Sequence, residues 1–223
     1  MGLKILAIAI SVIFGYLIGS IPSALIIGKI FYKKDVRNEG SGNLGATNVA
    51  RTLGAKPGAI VLLLDALKAA LSSNLMLILG LYVFKFTNPI FSTIMFLCGG
   101  LMACLGHCYP IFANFKGGKA VSVIAGFALG SNWIVFSIGF VVFFSVFFIK
   151  RIVSISSILM SVIASGLSFI PFVYKGFYLY PQTFGLYYSI VLVAISALLV
   201  IRHKSNIVKL IKGEEKKFTF AKK

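Results

Sequence analysis

The segment NEGSGNLGATNVAR, residues 38–51, concentrates residue types that bind phosphate. Gly40, Gly42 and Gly45 let the backbone turn so that successive N–H groups converge on an anion. Ser41, Asn43, Thr47 and Asn48 add side-chain donors, and Arg51 brings a guanidinium fork suited to phosphate. The glycines also spell GxGxxG, with Asp65 twenty residues beyond the last of them, which is the signature of a dinucleotide-binding turn. That signature requires an apolar strand before the glycines and a parallel sheet around them. What precedes them is the charged run YKKDVRNE, and AIVLLLD after them runs on into ALKAALSSNLMLILGLYVF, so no sheet is available. The segment is expected to hold phosphate, but not that of NAD.

Two further clusters share this character. In GHCYPIFANFKGGKAVSV, Lys116, Gly117, Gly118 and Lys119 precede an apolar helix, and a helix N-terminus beside lysines is an anion site. It is not a Walker loop, because Ala113 and Ala120 stand where that motif requires Gly and a hydroxyl residue. In IRHKSNIVKLIKGEEKKF, spacings of three and four put His203, Asn206 and Leu210 on neighbouring faces of a continued helix, with Arg202, Lys209 and Glu215 close by. Ser154 opens another apolar segment beside Arg151. Asp65 and Lys68 are an i, i+3 pair inside an apolar stretch, where ionisable residues pair and face the bundle interior. These two, with His107, Ser154 and Glu215, are expected to support the site. Cys98, Cys104 and Cys108 read as small core residues, without the CxxC spacing of a zinc or redox framework. Asp35, Glu39 and Asp65 do not cluster either, so neither a metal nor a cofactor is expected.

The elements that hold these clusters belong in a bilayer. Hydrophobic residues make up 59% and charged residues 12% of the 223, and the mean hydropathy is +0.98, which excludes an ordinary soluble domain. A span needs about 20 apolar residues. Seven stretches qualify, roughly 3–30, 58–84, 88–113, 119–132, 133–149, 152–174 and 184–201, of which the fourth and fifth are short enough to form one apolar hairpin or a partly re-entrant pair. The first has no small-residue cleavage site and reads as a retained helix. With the N-terminus outside and the C-terminus cytoplasmic, eighteen of the 22 basic residues fall inside, three (Lys4, Lys85 and Lys175) outside, and Lys68 within a span. The net charge of +17 thus sits in juxtamembrane segments facing anionic lipid, and no nucleic-acid partner is expected. The expectation is a single all-α integral membrane domain over residues 1–223, with seven transmembrane helices. Residues 202–223 would form a basic cytoplasmic tail contributing to one cytoplasmic site.

GSGNLGATNVAR, GHCYPIFANFKGGKAV and IRHKSNIVKLIKGEE, in this order between apolar spans, resemble the three motifs of the bacterial membrane glycerol-3-phosphate acyltransferases that use acyl phosphate, the PlsY family. The resemblance runs from Gly19 to Glu215. The family's GGKGVAT differs here at Ala120 and Val123, and its common arginine is replaced by Lys209. The resemblance implies acyl transfer from a long-chain acyl phosphate to the 1-hydroxyl of glycerol 3-phosphate, giving lysophosphatidic acid and phosphate. This is the first step of phospholipid synthesis, on the cytoplasmic side of the bacterial inner membrane. Arg51, Lys116 and Lys119 would then hold phosphates, with Gly42, Gly45, Thr47, Asn48, Gly117, Gly118 and Arg202 completing the binding site. Ser41, Asn43 and Asn206 would orient acyl phosphate and hydroxyl, and His203 would hydrogen-bond the reacting groups or act as the base. Because an acyl phosphate is a mixed anhydride with a good leaving group, direct attack without an acyl-enzyme is expected, the protein supplying positioning and charge. The competing reading is a membrane transporter of phosphate esters, which would place its sites near the midplane and show an inverted repeat. The sequence has neither feature.

Overall fold

The structure is a computed structural model that describes residues 1–175 and 185–219, with only the backbone of Lys175. The outer connection expected after residue 175, the start of the seventh stretch at residue 184 and the last four tail residues lie outside the described residues. All regular elements of the described residues are helical. In order they are α1 (Gly2–Gly19), α2 (Ser23–Tyr32), α3 (Ala46–Thr52), α4 (Ala55–Ile78), α5 (Pro89–Cys108), α6 (Val121–Leu129), α7 (Trp133–Lys150), α8 (Val153–Leu167), α9 (Pro171–Lys175), α10 (Gly185–Arg202) and α11 (Lys204–Ile211).

Five segments are long and apolar enough to cross a bilayer: Gly2–Tyr32, Ala55–Val83, Pro89–Ala113, Trp133–Lys150 and Gly185–Arg202. They match the first, second, third, fifth and seventh stretches. The first is not one continuous helix. Pro22 has no N–H to offer a helix, the chain breaks between α1 and α2, and the freed carbonyl of Ile21 accepts from Lys68 Nζ at 2.9 Å. The remaining two stretches hold shorter helices. α8 has 15 residues, and α6 has nine, or about 14 Å at 1.5 Å per residue, under half of a hydrocarbon core of about 30 Å.

The turn that ends α6 is buried, with Ser131 and Asn132 at 1% and 0% exposure. Irregular backbone away from water needs internal partners, and it has them. Asn132 Nδ2 donates to the Val173 carbonyl at 2.8 Å, and Asn132 Oδ1 accepts from the N–H groups of Ile134 and Val135, capping α7. Asn74 Nδ2 donates to the Gly130 carbonyl at 3.1 Å.

Small residues set the helix spacing. Ala7, Ser11, Gly15 and Gly19 recur every fourth residue along α1 and are its buried positions. A Cβ on Gly19 would overlap the Ala103 backbone, so α1 and α5 touch almost backbone to backbone. In the core Phe127 of α6 lies between Phe96 and Tyr188, with ring centroids 5.7 and 5.6 Å away. The outer faces are apolar instead of charged: α7 buries only Val135 and Gly139 while Phe140, Phe148 and Ile149 are exposed, as a lipid-facing helix requires.

Candidate active site

Asn48 of α3, only 3% exposed, organises the glycine-rich loop. Its Oδ1 accepts from Ser41 N–H at 2.8 Å and from Ser41 Oγ at 3.1 Å, while Nδ2 donates to the carbonyls of Val36 and Glu39 at 3.0 and 3.1 Å. Gly42 N–H donates to the Glu39 carbonyl at 3.0 Å. Asn43 Oδ1 accepts from Gly45 N–H at 2.9 Å, and Asn43 Nδ2 reaches the Gly117 carbonyl at 3.2 Å. Gly40 and Gly42 have φ of +58° and +70°, and a side chain on Gly40 would collide with Asn48. The N–H groups of Ser41, Gly42 and Gly45 are therefore spent inside the loop. The expected convergence of N–H groups on an anion is replaced by side chains, Ser41, Thr47 and Arg51, turned to a cavity. Upstream, Asp35 caps the turn Val36–Asn38 and pairs with Arg37 at 2.6 Å. The Arg37 hydrogen bond holds its carboxyl well below the usual range.

The second loop has a different economy of hydrogen bonds. Gly118 N–H donates to the His107 carbonyl at 3.0 Å, and a Cβ on Gly117 or Gly118 would overlap His107. Their carbonyls are taken as well. Arg202 Nε donates to Gly118 at 3.1 Å and Nη2 to Gly117 at 3.3 Å, with the guanidinium 4.8 Å from the Tyr109 ring centroid. Both glycines are buried and Lys116 is exposed; these three, Gly42 and Arg202 do not line the cavity. Ala120 stands at φ +65°, left-handed backbone that glycine adopts freely. Below the loop, Lys68 Nζ meets Asp65 Oδ1 at 2.9 Å, and His107 Nδ1 lies 3.6 Å from the same oxygen. All three side chains are buried.

The third cluster closes the cavity, which has a volume of about 460 Å3. Lys119 Nζ donates to Asn206 Oδ1 at 2.6 Å, and Asn206 Nδ2 donates to Glu215 Oε1 at 2.7 Å. The same carboxylate oxygen accepts from Ser154 Oγ at 2.8 Å. The amide of Asn206 is thus fixed by a cation on one side and an anion on the other. His203, at 2% exposure, bonds through Nδ1 to the Leu199 carbonyl at 2.8 Å. A carbonyl only accepts, so Nδ1 carries the hydrogen and Nε2 keeps its lone pair. Burial, aided by Lys119 and Arg202, pushes this imidazole down to about 4, so it is neutral at pH 7. Burial also lowers Lys119, against the pull of Glu215.

The cavity lining combines two kinds of side chain: cationic and polar ones, among them Arg51, Lys119, Lys209 and Asn206, and apolar ones, Leu62, Val121, Phe143 and Val153. Ser41, Asn43, Gly45, Thr47, Asn48, His107, Ser154, His203 and Glu215 also reach it. Sequence reasoning missed Ser122 at the start of α6 and the tail residues Glu214, Lys216, Lys217 and Thr219, the last four lining the cavity because the chain folds back over it. Nothing local in a basic tail signals such a return. Such a site can hold more than one phosphate on its cations, carry a neutral acceptor at His203, and seat an alkyl chain against its apolar side chains.

A family model described as Glycerol-3-phosphate acyltransferase matches residues 9–213. A glycerol-3-phosphate acyltransferase of Macrococcus caseolyticus is 41% identical over 216 residues, covering 96% of this chain and 99% of that one. The crystal structure of PlsY (YgiH), an integral membrane glycerol 3-phosphate acyltransferase, in its glycerol 3-phosphate form, superposes with a TM-score of 0.79 at 35% identity, over 95% of this chain and 96% of that one. Its lysophosphatidic acid form gives 0.76 at 35% identity over 95% of both. A membrane-embedded helical fold, three loop clusters meeting in one cavity and a match over nearly the whole length agree: the chain belongs to the glycerol-3-phosphate acyltransferase family, the PlsY family.

Proposed function

We propose that this protein transfers a long acyl chain from acyl phosphate to the 1-hydroxyl of glycerol 3-phosphate, by direct attack and without an acyl-enzyme. The observation that carries the reading is a single cavity whose lining holds both cations, Arg51, Lys119 and Lys209, and apolar side chains, Leu62, Val121, Phe143 and Val153. An acyl-phosphate donor combines the same two characters, a charged head on an alkyl tail. Arg51 and Lys119 hold the phosphates, Ser41, Asn43 and Asn206 orient donor and hydroxyl, and proximity with charge stabilisation supplies the rate. Glu215 and Ser154 keep Asn206 and Lys119 in place, and Asp65, Lys68 and His107 brace the loop below.

In the reaction the glycerol 1-oxygen bonds to the acyl carbon, the bond from that carbon to the phosphate oxygen breaks, and the hydroxyl proton leaves on the phosphate. His203 Nε2 accepts the hydroxyl's hydrogen bond. The leaving phosphate is the better final base: even a phosphate monoester, with a second pKa of about 6, is more basic than an imidazole held at about 4. The products are lysophosphatidic acid and inorganic phosphate. We place the site on the cytoplasmic side of the bacterial inner membrane, N-terminus outside, with α8 as a further crossing and the short α6, through its buried turn, pairing with α7 as an apolar hairpin. The clustering of basic residues at that end supports this orientation.

The test offers purified enzyme acyl phosphate, acyl-CoA and acyl-carrier protein in parallel, with labelled glycerol 3-phosphate. Lysophosphatidate from acyl phosphate alone is expected. Product only from the thioesters would refute the donor, and none from any donor would return the site to a phosphate-ester transporter. Quenching during turnover with labelled acyl phosphate should trap no covalent enzyme; an adduct lost on Ser41→Ala would make Ser41 a nucleophile.

A further inference from the structure

The last described residues do not trail into solvent. After α11 the chain reverses at Gly213, φ +71°, where Glu214 N–H donates to the Lys209 carbonyl at 2.8 Å. It then crosses the mouth of the cavity towards the start of α8. Glu215 is held by Ser154 and Asn206. Three residues on, Phe218 N–H donates to the Arg151 carbonyl at 2.7 Å, and its ring meets Phe147 of α7 with centroids 5.8 Å apart at 61°. The Arg51 guanidinium carbon lies 5.6 Å from the centroid of that same ring, within the reach of about 6 Å for a cation over an aromatic face. This strap lies beyond residue 213, where the family match ends.

We propose that the strap, residues 214–219, positions the site for glycerol 3-phosphate, with Phe218 as a positioning residue that fixes Arg51 before substrate arrives. The inference rests on the reading of Arg51 as a phosphate ligand. An arginine free to rotate loses that freedom when it grips a phosphate, and the loss weakens binding. The contact with Phe218 moves the loss into folding. An aromatic ring, unlike a carboxylate, does not consume the guanidinium's hydrogen-bonding fork, so that fork remains available for a phosphate. Glu215 anchors the near end of the strap, and Phe147 with the Arg151 carbonyl anchors the far end, so the ring is itself held.

The experiment uses the full chain, purified, and reads kcat and KM for glycerol 3-phosphate in Phe218→Leu and Phe218→Tyr. Leucine keeps an apolar contact with Phe147 but has no π face; tyrosine keeps the face. Phe218→Leu should raise KM about three- to tenfold with kcat within about twofold, and Phe218→Tyr should restore the wild-type KM. Equilibrium binding of labelled glycerol 3-phosphate to Arg51→Ala and to the double variant Arg51→Ala/Phe218→Leu completes a cycle that needs no turnover. Once Arg51 is gone, Phe218→Leu should weaken binding no further. If it weakens binding equally with and without Arg51, or leaves KM unchanged while Arg51→Ala weakens binding, the positioning role is wrong and the Arg51 reading stands. If Arg51→Ala binds as wild type, the phosphate reading of Arg51 fails and the strap's role fails with it.

Discussion

The loop of Gly40, Gly42 and Gly45 and the loop of Gly117 and Gly118 look alike as sequence, glycines beside a cation in front of a helix, but their hydrogen bonds run differently. In the first, asparagine side chains take the N–H groups of Ser41 and Gly45 and the Glu39 carbonyl takes that of Gly42, and Ser41, Thr47 and Arg51 are left to face the cavity. In the second, the glycines are packed against His107, their carbonyls are held by Asn43 and Arg202, and only Lys119 just beyond them reaches the cavity. A glycine in such a loop can serve a ligand or a neighbouring side chain, and the two uses separate only when the backbone groups are accounted for one by one.

Substitutions sharpen or break that contrast. Lys119→Met, at the one lysine of the second loop that lines the cavity, should lower kcat/KM for glycerol 3-phosphate about a thousandfold with little change in Tm. A loss under tenfold would mean the second loop brings no charge to the reaction. Gly118→Ala should instead act on the fold, costing about 3 kcal/mol, the upper end for overpacking, because the new methyl meets the His107 ring. Thermal unfolding in detergent should show it, and a normal Tm with a raised KM would make Gly118 a ligand residue after all.

His203 carries the next effect through pH. Its folded pKa of about 4 lies below an unfolded value of about 6.5, so acid favours the unfolded chain. The stability it contributes is complete above pH 6.5 and is lost as pH falls towards 4, by about 2 kcal/mol at pH 5. Tm measured across that range should fall more steeply for wild type than for His203→Gln; parallel curves would show that the imidazole is not held neutral. Smallest is Lys116→Ala, which should change KM by less than about twofold, as is usual for an exposed charge. A tenfold rise would bring Lys116 into the site.

Hydropathy and charge made the membrane helices legible, because a span is a local property of some twenty residues. The break at Pro22 was visible as a residue but not as an event, since it depends on Lys68, forty-seven positions later, supplying a donor for Ile21. The short α6 could be seen as a doubtful span, but not its buried turn, which rests on Asn74 and Val173. In the site, residue types pointed to Arg51, Lys119, His203 and Asn206, all of which line the cavity. The same types drew in Lys116 and Arg202, which do not, because composition records which groups can bind phosphate and not that Arg202 is engaged by the Gly117 and Gly118 carbonyls while Lys116 faces outward. The tail was expected to contribute to the site, with Glu215 in support, but its path was not legible: Lys216 and Lys217 look like a solvated basic tail, and only contacts with Arg151 and Phe147 bring the segment back.

The buried Asp65–Lys68 pair has a bearing on how the protein is made. Alone in a bilayer, α4 would carry an acid and a base near its middle, each costing about 2.5–3.5 kcal/mol at the centre of a helix. In the finished fold that burden is shared by partners on other segments, the Ile21 carbonyl from the break after α1 and His107 from α5. α1 is synthesised before α4 and α5 after it, so α4 enters the membrane with one partner waiting and the other still on the ribosome. Full stability of the second crossing is then reached only when the third arrives, which makes helix insertion and tertiary assembly a single coupled event at this point in the chain.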